Sequence, residues 1–295
     1  MADIAFLGLG RMGAAMAARL IAAGQRVIVW NRSEQGYARL RAELADGTRV
    51  EVAATPADAA RQSDLVLTML ADAPAGDAVL FGPDGLINGL RPGSTVVDMA
   101  TTGVAAARKI SDRLDAVGAV FADGPVSGSV AAARAGELLV MVGGPQHVAD
   151  RLRLDLAPVA RAVVRVGDCG AGQAMKLSVN AVVHTTNGSI SEALILAERG
   201  GVDRTVAYEI FEASVIGSRF LAYKRLAFED PTSAAVAMTI NLVAKDLDLI
   251  ERFAASCEAR MPLAATAHQV AADAAAAGLG ERDMAVIADY HRRNL

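Results

Sequence analysis

The hexapeptide Gly8-Leu9-Gly10-Arg11-Met12-Gly13 constrains this chain more than any other stretch, because of what surrounds it. Ile4–Leu7 before it is a short apolar strand. Arg11 to Ala23 after it keeps helical spacing through Met12, Met16 and Leu20, and Gly24 stops the helix. Arg26–Trp30 then reads as a second strand. Three glycines at this spacing mean little alone, but a strand, turn, helix and strand within about thirty residues make them informative. Gly8 permits the tight turn, Gly10 lets backbone approach a diphosphate, and Gly13 lets the helix pack on the strand. The helix N-terminus adds free N–H groups and a partial positive charge. The plainer alternative is a structural glycine turn with no ligand.

The residues ending the second strand bear on which dinucleotide is held. A site for the unphosphorylated form normally has a carboxylate there for the ribose 2′-hydroxyl. Here stand Asn31, Arg32 and Ser33. No carboxylate repels a 2′-phosphate, Arg32 can pair with one, and Asn31 and Ser33 can donate hydrogen bonds. NADP(H) is therefore expected over NAD(H). The competing use of Asn31 and Ser33 is to cap a helix beginning near Glu34.

Further strands are expected at Leu65–Met69, Thr95–Met99, Ala119–Phe121 and Leu138–Val142, with helical or turn segments between them. Such alternation implies an α/β fold, a mostly parallel sheet with helices on both faces. Ligands of such sheets bind beyond the carboxyl ends of the strands. The loops expected there include Met69-Leu70-Ala71-Asp72, Asp98–Thr102 and Asp123–Ser129. Met69, Leu70 and Thr101 are thus cofactor-contact candidates, although Thr101 serves equally well as the cap of a helix starting near Val104. In Asp123-Gly-Pro-Val-Ser-Gly-Ser129, the hydroxyls and N–H groups of Ser127, Gly128 and Ser129 precede a short alanine-rich helix. They form a seat for a substrate carboxylate or, more simply, a serine N-cap.

Gly170-Ala-Gly-Gln-Ala-Met-Lys-Leu-Ser-Val-Asn180 opens one long helix, read from Gln173 to about Arg199 despite Gly188 within it. Lys176 and Asn180 share a face, and His184 and Asn187 extend a polar line expected to border a cleft or solvated groove. The chain holds 29 Lys+Arg but four lysines, Lys109, Lys176, Lys224 and Lys245. Arginine does not release a proton near neutral pH, whereas a desolvated lysine does. Lys176 is accordingly the candidate proton-transfer group of a dehydrogenase, against the plainer reading of a helix-surface cation. After Lys176 strand signals vanish and alanine- and leucine-rich helices run to the C-terminus. The expected division is a dinucleotide-binding domain over residues 1–166 and an all-α domain over 167–295, joined by the long helix. In the second, Lys245 stands beside Asp246 and Asp248; an i to i+3 pair with Asp248 is its simplest use.

At 53% hydrophobic and 21% charged residues the chain is no disordered segment, and a core with an apolar subunit interface is expected. A net charge of −4 without a basic block argues against nucleic acid or anionic membrane. Cys169 and Cys257 make no disulfide framework, and the four histidines lack companions at ligand spacing, so no metal site is expected. With a strand pattern from Asp3 and no apolar run of membrane-spanning length, a cytoplasmic protein is expected.

Four segments together resemble the β-hydroxyacid dehydrogenase family, which includes 3-hydroxyisobutyrate dehydrogenases and glyoxylate/succinic semialdehyde reductases. They are Phe6–Ala17, Asp123–Ser129, Gly170–Asn180 and Ala244–Leu249, in family order along essentially the whole chain. The resemblance implies a Rossmann-type N-terminal doubly wound sheet, an all-α C-terminal domain and a substrate cleft between them. It implies Lys176 as acid/base, Asn180 and the Ser127-Gly128 loop on a small carboxylate-bearing substrate, and Lys245 closing over cofactor or substrate. It also implies a homodimer or homotetramer. Ala100 stands where the family usually has serine, Ser129 where glycine is commoner, and Met238 and Ile240 where an aromatic is frequent. The rival readings are an imine reductase, which shares the architecture but usually lacks the lysine, and a non-catalytic NADP-binding module.

Overall fold

The computed structural model describes residues 3–294. Among the described residues are nine strands: β1 (Ile4–Leu7), β2 (Val27–Trp30), β3 (Glu51–Val52), β4 (Leu65–Thr68), β5 (Thr95–Asp98), β6 (Val120–Asp123), β7 (Val126–Ser127), β8 (Leu138–Gly143) and β9 (Ala160–Gly167). The helices among them are α1 (Arg11–Ala22), α2 (Glu34–Glu43), α3 (Pro56–Arg61), α4 (Ala73–Phe81), α5 (Val104–Asp115), α6 (Val130–Ala135) and α7 (Gln146–Asp155). Then come α8 (Ala171–Arg199), α9 (Arg204–Ala213), α10 (Arg219–Glu229), α11 (Ile240–Ser256), α12 (Pro262–Ala274) and α13 (Ile287–Asn294). The chain forms two compact units, divided between Lys176 and Leu177, inside α8.

The first unit is the sheet. Its order is β3-β2-β1-β4-β5-β6-β8-β7, with β9 on β8, and β3 to β6 are all parallel. The chain leaves β1 toward β2 and β3, then returns to lay β4, β5 and β6 on its other side. The order thus reverses between β1 and β4, which opens a crevice at their carboxyl ends. Both faces are covered, so these strands are buried runs without polar alternation: Ile4 and Phe6 pack with Met16 and Leu20 of α1, while Ala5 and Leu7 pack with Ile28, Val66 and Leu80. Each such large side chain withdrawn from water contributes roughly 1.5–3 kcal/mol.

The far side of the sheet departs from the expectation. β7, within the stretch read as a loop, pairs antiparallel with β8 through Val126↔Val140 and Ser127↔Leu139. A two-residue strand leaves no periodicity to read. β6 meets β8 at Asp123↔Gly143 and is likewise antiparallel to it. β8 therefore continues past the carboxyl end of β6, carrying β7 with it. Ser127, opposite a residue four positions from Gly143, stands about 13 Å beyond that edge.

The second unit is helical. Ile190 and Leu194 of α8 join Tyr208, Leu221, Phe228 and Ala288 in its core. The Tyr208 and Phe228 rings lie 5.7 Å apart, and the Tyr208 hydroxyl donates to the Leu221 carbonyl at 2.9 Å. α11 packs along α12. Among the described residues no helix is long and apolar enough to cross a membrane.

Candidate active site

The glycine turn sits at the β1/β4 crevice. Gly8 has φ +100°, and a Cβ there would come within 2.4 Å of the Met69 carbonyl oxygen, so both conformation and space demand glycine. A Cβ on Gly13 would meet the Gly8 carbonyl oxygen. At Gly10 the requirement differs: a Cβ would touch nothing within 4 Å, so the glycine leaves room beside the turn. Gly10 is also the N-cap of α1, with no side chain capping it and no acidic residue in the first turn. An open, uncapped helix start beside a switch point fits a diphosphate, which would take those N–H groups and the favourable end of the helix dipole.

Asn31, Arg32 and Ser33 lie at the end of β2, next to this turn, and their roles differ from one another. The Asn31 side-chain oxygen accepts the Leu9 N–H at 2.8 Å, and its amide group donates to the Ser33 carbonyl at 2.8 Å. Tyr37 closes the arrangement by accepting from the Asn31 N–H and donating to the Asn31 carbonyl. Asn31 is thus a brace between the strand end and the glycine turn. Ser33 occupies the N-cap position of α2 but makes no side-chain cap, and Arg32 is exposed without a hydrogen bond or ion pair among the described residues. Met69 and Leu70, half-buried at the end of β4, complete this side, with Leu70 over Gly8.

The other side is built by carboxylates and an amide that spacing along the sequence did not reveal. Asp98 ends β5, buried, and accepts from Thr68 at 3.0 Å and from Thr102 at 2.8 Å. Asp123 ends β6, fully buried, and its two oxygens accept the Gly170 N–H at 2.7 Å and the Gln173 N–H at 2.6 Å. It therefore caps α8 from about fifty positions away. Burial pushes the Asp123 carboxyl pKa up, against the pull of those two amides. Gln173 reaches back: its side-chain oxygen accepts from the N–H groups of Thr102 and Gly103, and its amide group donates to the Ala100 carbonyl at 2.8 Å. Gln173 thus ties down the loop just before α5, whose N-cap position is taken by Gly103. Because Gln173 takes the Ala100 backbone, alanine in place of serine leaves the clamp intact. A Cβ on Gly172 would lie 2.5 Å from the Met141 carbonyl oxygen, which is why glycine stands in the first turn of the helix.

Lys176 lies three residues beyond Gln173, within one turn of this clamp, and is half-buried. The carboxyl edge thereby collects the glycine turn, the β2 end, Met69, Leu70, Thr101 and the start of α8. Ser127, Gly128 and Ser129 stand above it on β7 and its following turn. Ser129 caps α6 through its hydroxyl, which accepts the Ala132 N–H at 3.2 Å and keeps its own proton to donate.

In the second unit the polar line of α8 is buried and faces no solvated groove. Asn180, His184, Asn187 and Ser191 are all at most 5% exposed. Asn180 donates to Asp246 of α11 at 2.6 Å, and Asn187 donates to the Met284 carbonyl at 3.0 Å. Hydrophobic spacing alone does not distinguish a polar line that faces water from one that meets buried acceptors. Lys245 pairs with Asp246 at 3.1 Å; Asp248 is bonded instead by Arg252 at 3.0 Å. Burial works to raise the Asp246 pKa, but His184 and Lys245 outweigh it and hold the carboxyl below its ordinary range. Among the described residues no cluster of three or more His, Cys, Asp or Glu is placed to hold a metal ion.

Comparison with known proteins bears on each unit. The family model for the NAD binding domain of 6-phosphogluconate dehydrogenase matches residues 3–167. The model described as NAD-binding of NADP-dependent 3-hydroxyisobutyrate dehydrogenase matches residues 170–291. A 3-hydroxyisobutyrate dehydrogenase of Pseudomonas aeruginosa is 34% identical over 283 residues, 92% of this chain and 91% of its own. Glyoxylate/succinic semialdehyde reductase 2 of Arabidopsis thaliana, a chloroplastic protein, is 30% identical over 97% of this chain and 78% of its own. The solved 3-hydroxyisobutyrate dehydrogenase of Mycobacterium tuberculosis with L-serine superposes with a TM-score of 0.84 at 29% identity, covering 99% of both chains. The motifs and the full-length similarity agree: the chain belongs to the β-hydroxyacid dehydrogenase family, the NADP-dependent oxidoreductases typified by 3-hydroxyisobutyrate dehydrogenase.

Proposed function

We propose that this enzyme interconverts a small carboxylate-bearing hydroxy acid and its semialdehyde or oxo acid, of the 3-hydroxyisobutyrate, succinic semialdehyde or glyoxylate type, with Lys176 as general acid/base. The observation that carries this reading is the Gln173 clamp, which fixes Lys176 within a turn of the carboxyl edge. The turn Gly8 to Gly13 and the α1 start hold the diphosphate, Arg32 and Ser33 take the 2′-phosphate, and Met69, Leu70 and Thr101 flank the dinucleotide. The bound nicotinamide supplies or accepts hydride. In reduction, protonated Lys176 donates a proton to the carbonyl oxygen as charge grows there; in oxidation the neutral amine accepts it. Asn180, held by Asp246, orients the lysine or the substrate oxygen. Ser127, the Gly128 N–H and the Ser129 hydroxyl, which also caps α6, hold the carboxylate. Lys245 closes over the cofactor.

The enzyme works in the cytoplasm as a homodimer or homotetramer. Val182 and Leu196 on α8, with Val206 and Ile210 on α9, are large exposed apolar side chains that support such an assembly.

Two measurements test the reading. Arg32→Ala is expected to raise the KM for NADPH about tenfold or more, the worth of a charge-assisted phosphate contact, and to leave that for NADH nearly unchanged. Equal effects on both would remove Arg32 from the 2′-phosphate. NADPH oxidation is expected with at least one of succinic semialdehyde, glyoxylate and methylmalonate semialdehyde. Turnover of a cyclic imine alone would replace the proposal with imine reduction, and turnover of none with a binding module.

A further inference from the structure

The pairing of β2 with β3 is short. Ile28 meets Glu51, Val29 meets Val52, and the Val29 carbonyl still accepts the Ala53 N–H at 3.0 Å. Trp30 turns its carbonyl the other way, to the Gly8 N–H at 2.9 Å. Asn31 is the next residue whose main chain faces the β3 side, and β3 has ended at Val52. α2 meets it instead. The Tyr37 hydroxyl accepts the Asn31 N–H at 2.8 Å and donates to the Asn31 carbonyl at 3.0 Å, so one hydroxyl stands in for both bonds of a ladder that has run out. The residue before it, Gly36, serves the same asparagine by what it lacks. A Cβ there would lie 2.2 Å from Asn31 Nδ2. The backbone does not ask for glycine, since Gly36 is outside the positive-φ region, and alanine is the better helix former. The Asn31 side chain has little freedom to swing aside, because Oδ1 holds the Leu9 N–H and Nδ2 donates to the Ser33 carbonyl, both at 2.8 Å.

Asn31 is therefore held through its main chain by α2 and through its side chain on the glycine turn, and the position of one passes to the other. We propose that Gly36 and Tyr37 are positioning residues for the dinucleotide: acting through Asn31, they place the Leu9 N–H and with it the turn that receives the diphosphate. NADH carries that diphosphate as NADPH does, so the two residues govern the binding of NADH, which Arg32 does not. The inference rests on the assignment of the glycine turn to the diphosphate.

Titration of the full-length enzyme with NADH and with NADPH tests it, followed by quenching of Trp30, the one tryptophan of the chain and the neighbour of Asn31. Each titration is run well below the variant's melting temperature. Tyr37→Phe keeps the ring and removes the hydroxyl. It is expected to weaken NADH binding about three- to tenfold, the worth of one or two neutral hydrogen bonds, and NADPH binding at least as much. Gly36→Ala is expected to weaken NADH binding to a similar extent, although it gives α2 a better helix former. Asn31→Ala is expected to weaken both dinucleotides, and Tyr37→Phe added to it to cost less than about twofold more, because the shared path is already cut. Gly10→Ala tests the underlying assignment. Its Cβ would touch nothing in the protein, so a loss of about tenfold or more for both dinucleotides reports crowding of the diphosphate itself. Wild-type affinity in Gly10→Ala overturns the assignment of the turn and the proposal with it. Weakened binding in Gly10→Ala, with NADH affinity unchanged in Tyr37→Phe and Gly36→Ala, overturns the role of the α2 residues alone. A full further loss when Tyr37→Phe is added to Asn31→Ala also overturns it, since Tyr37 then acts by another route.

Discussion

Lys176→Ala is expected to lower kcat by about 10²–10⁴-fold, the usual worth of a general acid or base, with NADPH affinity nearly unchanged. The split follows from location. The dinucleotide is assigned to the glycine turn and the β2 and β4 ends, and none of those depends on an ammonium on α8. Lys176→Arg sharpens the test, because it keeps the charge and much of the length but does not release a proton near neutral pH. It is expected to be nearly as slow as the alanine variant in the oxidative direction, where the amine must be neutral. Steady-state kinetics in both directions, with cofactor affinity measured by fluorescence, check this. Wild-type turnover by either variant would remove Lys176 from the chemistry and leave the Gln173 clamp as structure alone.

Lys224→Met is expected to destabilise the protein by about 3–5 kcal/mol, the cost of leaving one member of a buried pair alone. Lys224 is 2% and Asp283 4% exposed, and they are bonded at 2.6 Å. Burial pulls the Lys224 pKa down even against Asp283; at Asp283 burial works upward, but Lys224 outweighs it and holds the carboxyl low. Substituting both members of such a pair often restores stability, yet here it is not expected to. Asp283 also accepts the N–H groups of Ala237 at 2.9 Å, Met238 at 3.3 Å and Ala285 at 3.0 Å, so Lys224→Met with Asp283→Leu strands three further donors. Chemical denaturation of the single and double variants decides this. Recovery by the double variant would mean those amides find other partners at little cost.

These two lysines also mark how far the sequence could be read. The strand, glycine turn and helix at the N-terminus were legible because their logic is local: each residue's role depends on neighbours within thirty positions. Lys176 stood out through lysine scarcity and its place after two glycines. The side chains that fix the site were not legible, since their partners are remote. Asp123 caps α8 at Gly170 and Gln173, Gln173 closes on Ala100 and Thr102, and Asp246 receives Asn180 across 66 positions. Nothing in periodicity distinguishes Asp246 from Asp248, yet one is buried and the other bonded at the surface by Arg252. The same limit explains why the α8 polar line was read as facing a groove: spacing identifies a face, and packing alone decides what meets it. β3 and β7, at two residues each, fall below any pattern.

The Asn31 brace has a consequence for anyone wishing to retarget this enzyme from one nicotinamide dinucleotide to the other. The obvious exchange, an acidic side chain at position 31, would still receive the Leu9 N–H but would oppose the Ser33 carbonyl, to which Asn31 now donates. The diphosphate turn and the discriminating strand end share that amide, so changing selectivity there would also loosen the grip on the half of the molecule common to both dinucleotides. Redesign is better confined to position 32, because the Ser33 hydroxyl also accepts from the Asn31 amide, at 3.4 Å.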